Sequence, residues 1–253
     1  MRVINPSISC VCALLLFWLL GVEQAKGVII GFVEQEVFLV KGSARALHVE
    51  ITYGAGDPAN DLFSYGVRAV PSGLGDAKLE GISVPGELDY LGLRSGALID
   101  KSPGVMGVKG NAGVFQGPYA GSLLATYNFR FPSAGEFVLK LDLFRTLGPG
   151  EDVFLAGDAT RLDDLITFRP VTIRVVARPK ITISLLGNEA RDARLIFPTA
   201  RGWGYTLQFS EDLVAWRPLT TTAGDGDPFI YVHRGGAALS RGYYRVAMEL
   251  KAP

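Results

Sequence analysis

The chain is expected to fold as an all-β protein: an antiparallel, jelly-roll-like β-sandwich followed by a small C-terminal β domain. The first observation behind this is the stretch Gly121–Leu143, where Leu123, Ala125, Tyr127, Phe129 and Phe131 alternate with Leu124, Thr126, Asn128 and Arg130. After Pro132-Ser133-Ala134-Gly135-Glu136 the alternation resumes. Phe137, Leu139, Leu141 and Leu143 take one side, and Val138, Lys140 and Asp142 the other. A period of two on both sides of a Pro/Gly-containing break predicts a β-hairpin with one buried face. The second observation is that no stretch sustains the apolar period of a helix. The third is the supply of turn formers, 31 glycines and 14 prolines, set between short apolar runs.

The first 27 residues read as a separate object. Arg2 supplies a positive start, and Cys10–Leu20 is an apolar run of 11 residues, short of the roughly 20 that a membrane span needs. Gly21–Gly27 then turns polar and ends in Ala25-Lys26-Gly27, an acceptable cleavage site. These features predict a secretory signal peptide over 1–27, cut after Gly27, and hence a secreted or cell-surface protein with no membrane insertion after cleavage. An uncleaved anchor would export the same domains.

Both cysteines, Cys10 and Cys12, lie in that segment and precede most of the apolar run, whereas a lipoprotein cysteine follows one. Residues 28–253 therefore offer no disulfide, thiol nucleophile or zinc–thiolate site. Removing Arg2, Lys26 and Glu23 from the 25 basic and 25 acidic side chains leaves 23 against 24, a net charge of −1. A balanced surface gives no reason to expect nucleic acid as a partner.

The elements follow in order. Val28–Val33 and Glu36–Val40 are short apolar runs. Leu47, Val49 and Ile51 alternate with His48, Glu50 and Thr52, a half-buried strand closed by Gly54-Ala55-Gly56-Asp57-Pro58. Phe63–Val70 and Leu79–Val84 come next. The glycine-rich region Pro85–Gly121 accommodates two or three short strands or one extended loop. Beyond the Gly121–Leu143 pair, Leu165–Phe168 and Val171–Val176 alternate again, while Asp158–Leu165 fits a short helix or a turn. Residues 28–178 form the expected sandwich. Residues 179–190, containing the apolar Ile181–Leu186, are a linker or a strand. Residues 191–253 are the expected small module, with strands over Arg194–Phe197, Trp203–Phe209, Leu213–Leu219, Phe229–Val232 and Tyr243–Leu250.

Two resemblances add to this reading. Phe63-Ser64-Tyr65-Gly66-Val67, the approach Gly117–Gly121, the run Gly121–Phe129, the Ala134-Gly135 turn and the closing Ile166-Thr167-Phe168 and Val171–Val175 resemble cohesin-like β-sandwich modules of bacterial extracellular proteins. The resemblance implies a jelly-roll sandwich with a sheet face that binds dockerin modules. No dockerin-contact residue carries over, and no dockerin-like calcium repeat occurs. Tyr205–Ser210, Asp212-Leu213, Trp216 and Tyr243-Tyr244-Arg245-Val246 look like a short β module at the ends of exported Verrucomicrobia-type proteins, to which no defined activity attaches.

Catalytic constellations are not evident. His48 and His233 read as surface residues, and neither a Gly-x-Ser-x-Gly elbow, a His-Glu-x-x-His pair nor a P-loop occurs. The acidic groups Asp57/Asn60/Asp61, Asp158/Asp163/Asp164 and Asp225/Asp227 invite calcium, but each sits at a turn where Asp and Asn are expected without metal. No cofactor or metal is expected. Tyr90, Tyr119, Trp203 and Tyr231 are candidate ligand-binding aromatics, near glycines or loop edges, against an alternative role in packing. The expectation is thus a non-catalytic binding or assembly protein acting on an extracellular protein. The alternative is a carbohydrate-binding module of an extracellular polysaccharide-degrading system.

Overall fold

The computed structural model describes residues 27–54, 62–73, 77–89, 98–102, 105–112, 119–148, 151–186, 191–238 and 241–251. The signal-peptide expectation and the acidic group Asp57/Asn60/Asp61 lie outside the described residues.

Among the described residues, twelve strands build the first sandwich: β1 (Val28–Phe32), β2 (Glu36–Val40), β3 (Ala44–Tyr53), β4 (Leu62–Gly73), β5 (Lys78–Ser83), β6 (Leu98–Asp100), β7 (Gly107–Asn111), β8 (Leu123–Arg130), β9 (Gly135–Leu143), β10 (Leu155–Ala156), β11 (Ile166–Arg169) and β12 (Val171–Val176). One sheet has the order β11-β1-β3-β8-β5. The other runs β2-β12-β9-β4-β7-β6, with β10 beside β4. Among the described strands the pairing is antiparallel except where the first and last strands of the sandwich meet. There β1 runs parallel to β11, and β2 parallel to β12. The bend at Val33–Gln35 passes the chain from one sheet to the other, so the first apolar stretch serves both.

The Gly121–Leu143 stretch corrects the hairpin expectation. Strands β8 and β9 have the expected alternation, but β8 pairs with β3 and β5 while β9 pairs with β4 and β12. Their connection arches from one sheet to the other, and Phe131 meets Phe137 edge-on at 5.6 Å across the corner. Alternation fixes which side of a strand is apolar, and two apolar sides can share a core equally well from opposite sheets. The alternation also slips once. Val49 pairs with Ala125 and Glu50 with Leu123, so Leu124 is the extra residue of a bulge and is buried beside Ala125.

The core is continuous between the two sheets, with Tyr65, Tyr127, Phe129, Phe131, Phe137 and Phe154 among its fully buried side chains. Each such ring contributes about 1.5–3 kcal/mol by leaving water. Both tyrosine hydroxyls find carbonyls across the sandwich, Tyr65 Oη donating to Leu124 O at 2.8 Å and Tyr127 Oη to Val67 O at 3.0 Å.

A second core lies in the C-terminal part, between a sheet β13-β14-β17 and a sheet β16-β15-β18. The strands are β13 (Thr182–Leu186), β14 (Asp192–Phe197), β15 (Trp203–Ser210), β16 (Arg217–Ala223), β17 (Phe229–His233) and β18 (Tyr243–Leu250). Leu195, Phe197, Trp203, Tyr205 and Leu207 fill it, and Phe38, Val40 and Val176 of the first sandwich pack against it. The apolar Ile181–Leu186 segment therefore contributes a strand, β13, paired antiparallel to β14. The expected strand over Leu213–Leu219 starts instead at Arg217. Residues 211–215 form a bend, in which the Asp212 carboxylate accepts the amides of Val214 and Ala215, each at 2.8 Å. Among the described residues no helix is long and apolar enough to cross a membrane. Of the Asp158–Leu165 segment only Asp163–Leu165 is helical, as a 3-10 turn.

Candidate interaction surface

Of the sequence-predicted aromatics that the structure describes, Tyr119 belongs to the first sandwich, whereas Trp203 and Tyr231 share the second core. Tyr90 lies outside the described residues. Tyr119 is half-buried and clamps its own loop, its hydroxyl donating to Leu123 O at 2.8 Å while its backbone exchanges two 2.8 Å bonds with Leu62. Trp203 is only 6% exposed, inside the second core, with its indole Nε1 buried and unpartnered. Tyr231 sits half-buried on the core side of β17, in register with Leu195. A sugar-stacking platform needs an open ring face, and the buried Trp203 presents none.

The titratable candidates are absorbed by local structure. His48 Nδ1 lies 3.0 Å from Thr126 Oγ1 on the outer side of the β3–β8 pair. His233 departs from the surface expectation. Its ring stands edge-on to Phe209 at 5.1 Å, and its Nδ1 lies 2.8 Å from Tyr244 Oη. Burial, aided by the Arg217 charge, holds its pKa below the ordinary 6.5, against an opposing pull from Asp192. Asp158 accepts Thr160 N at 2.9 Å and Asp225 accepts Asp227 N at 2.9 Å, both ordinary turn bonds. Asp163 is different. Its buried carboxylate receives the amides of Val153 and Phe154, at 3.2 and 2.7 Å, and Arg145 at 3.1 Å. That makes it the clamp of the 151–165 segment, which folds back against β4.

What the sequence did not single out is the sheet β13-β14-β17. Ile183, Leu185, Ile230 and Val232 are large aliphatic side chains left 51%, 61%, 51% and 40% exposed on it. Register assigns their sides. Ile183 pairs with Leu195 and Leu185 with Ala193, so both point to the core side, at an edge where cover runs out. Ile230 pairs with Ile196, and Val232 with Arg194, on the outer face. That outer face is thus a row of β-branched residues beside one guanidinium, and clustered apolar exposure of this kind marks interaction sites. The period-two pattern names the sides of these strands but not which side lacks a neighbour. On the opposite sheet, the 211–215 bend carries the exposed Leu213 and Val214, and Arg245 stacks on Trp216 at 4.1 Å.

No protein-family model matches the sequence, and no curated protein matches it. Among solved structures, the chain is similar to a chain of the CaDoc0917–CaCohA2 complex at 12% identity and a TM-score of 0.44, over 59% of this chain and 99% of that one. It is also similar to a type III cohesin module from the cell-surface anchoring scaffoldin ScaE of Ruminococcus flavefaciens, at 10% identity and a TM-score of 0.41, over 60% and 89% of the two chains. A further likeness is to the C-terminal domain of the AgI/II polypeptide BspA of Streptococcus agalactiae, at 8% identity and a TM-score of 0.33, over 87% and 88%. The fold is that of an all-β sandwich protein with a small additional β unit.

Proposed function

We propose that this chain is a secreted or cell-surface, non-catalytic binding and assembly protein that acts through protein–protein contacts. One observation carries the reading: the outer face of β14–β17, where Ile196, Ile230 and Val232 line up beside Arg194 on paired strands. Aliphatic residues flanked by an arginine are the composition of a protein-binding patch, since arginine adds hydrogen-bonding reach to an apolar centre. The first sandwich serves as the body that carries this sheet, joined to it through Phe38, Val40 and Val176.

The experiment is site-specific photo-crosslinking in the exported fraction of the source cells. A photoreactive residue at position 232 is expected to label one protein repeatedly, and the same residue at Thr52, exposed on the far sandwich, is expected not to. Equal, unselective labelling from both positions would overturn the reading.

A further inference from the structure

We infer that the free edge of β13 pairs antiparallel with the same strand of a second copy of this chain, joining two C-terminal sheets into one. The surface involved is the edge bearing Ile183 and Leu185, separate from the outer face bearing Ile230 and Val232.

Edge strands expose unpaired backbone groups, and proteins guard them with charge, proline or bulges. Several edges among the described strands are so guarded. Strand β5 carries Lys78, Glu80 and a register shift; β16 begins Arg217-Pro218 and faces a shifted register in β15; β18 carries Arg245 and Glu249; β2 begins with Glu36. Strand β13 has sequence Thr-Ile-Ser-Leu-Leu, with no charge, no proline and an unbroken register against β14. None of its five residues is buried. Ile183 and Leu185 extend the rows that hold Leu195 and Ala193, so they project from the core side and stay largely uncovered among the described residues.

The occupant follows from the strand's own symmetry. Antiparallel pairing about Ser184 sets Ser184 beside Ser184 of the second copy, and sets Ile183 beside the second copy's Leu185 in both directions. Cross-strand aliphatic pairs are favourable, and a two-fold contact uses each of them twice. Charge selects the direction. The exposed Lys180 precedes the strand, and Asp192 pairs with Leu186 at its far end. Antiparallel pairing turns each lysine toward the other copy's end that carries Arg191 and Asp192, one charge of each sign, whereas parallel pairing would set lysine beside lysine. Strand β17, the sheet's other edge, keeps an ordinary alternation of half-buried and exposed residues and lacks this uncovered core side. The contact is narrow beside the roughly 800 Å² per partner of a standard interface, so the dimer is reversible and concentration-dependent.

Because both cysteines lie at positions 10 and 12, residues 28–253 give a thiol-free background. Cα atoms of paired residues on neighbouring strands lie about 4.5–5.5 Å apart, within the range a disulfide accepts. Under mild oxidation Ser184→Cys is expected to form a disulfide-linked dimer at least about tenfold faster than Val232→Cys, a rate advantage set by local concentration. Analytical ultracentrifugation of the thiol-free chain is expected to show a dimer that grows with concentration. Ile183→Lys/Leu185→Lys should abolish it without changing the unfolding transition. Equal cross-linking rates, a monomer at every concentration, or faster linkage through Val232→Cys would each overturn the proposal. The last would place self-association on the outer face, and none of these results bears on photo-crosslinking to a foreign partner.

Discussion

Tyr65 and Tyr127 reach across the first sandwich in opposite directions, each donating to a carbonyl of the strand that carries the other. Tyr65 on β4 bonds Leu124 O on β8, and Tyr127 on β8 bonds Val67 O on β4. Both rings are fully buried. Removing either hydroxyl leaves a buried acceptor without its donor, so Tyr65→Phe and Tyr127→Phe should each cost about 0.5–1.5 kcal/mol in urea unfolding.

The same pair sets the alkaline limit of the fold. Burial pushes both phenols far above the ordinary 10.0, so the neutral form is the one the folded state holds. Their contribution is complete below pH 10.0, where neither state is ionised, and is lost as pH rises beyond it because only the unfolded chain releases these protons. Stability should therefore decline above that point, and less steeply in the double Phe variant. Equal slopes would show that the rings ionise in place.

Asp163 ties down a segment the sequence left as helix or turn. Its carboxylate satisfies two buried amides and one guanidinium. Asp163→Ala would strand all three donors, and a loss of about 3–5 kcal/mol is expected, read as a lowered denaturation midpoint. A loss below about 1 kcal/mol would mean that water replaces the carboxylate.

Gly66 admits that segment onto the sheet. A Cβ there would lie 2.4 Å from Val153 Cγ1 and 2.8 Å from the Phe144 carbonyl oxygen, and the second neighbour is backbone. Gly66→Ala should cost about 1–3 kcal/mol through overpacking, and calorimetry of the variant checks it. Here the sequence held the clue without its meaning. The glycine inside Phe63-Ser64-Tyr65-Gly66-Val67 sits on the side of β4 away from the core, where a glycine has no reason to be unless something approaches.

The strands were largely legible because period two survives in any sheet. The partners were not. Nothing in Leu123–Leu143 distinguishes a hairpin from an arch, since Phe131 and Phe137 bury equally well in either, and only the pairing of β8 with β3 and of β9 with β4 decides. The candidate surface was hidden for a related reason. Ile183 and Ile230 have the spacing of ordinary strand residues, and their exposure follows from a sheet edge for the first and from an outer face with no covering layer among the described residues for the second. His233 likewise read as a surface residue beside a glycine turn, whereas folding brings Phe209 and Tyr244 around it.

His233 gives the acid side of the profile. With its pKa held below 6.5 by burial and by Arg217, the unfolded chain binds this proton first as pH falls. Its stabilising contribution is complete above pH 6.5, declines below it and levels out beneath the folded pKa. Wild type should lose stability on acidification more steeply than His233→Gln, and urea unfolding at a series of pH values compares them. Parallel curves would show that the imidazole is free to charge in the fold.

The most direct test of a contact function is paired capture. Residues 28–253 and the Ile230→Glu/Val232→Glu variant, both verified as folded, are immobilised and exposed to the same exported fraction. Contact through the outer face of β14–β17 predicts one protein retained at near-equal molar amount by the wild type and lost from the variant. Retention of the same protein by both would contradict it.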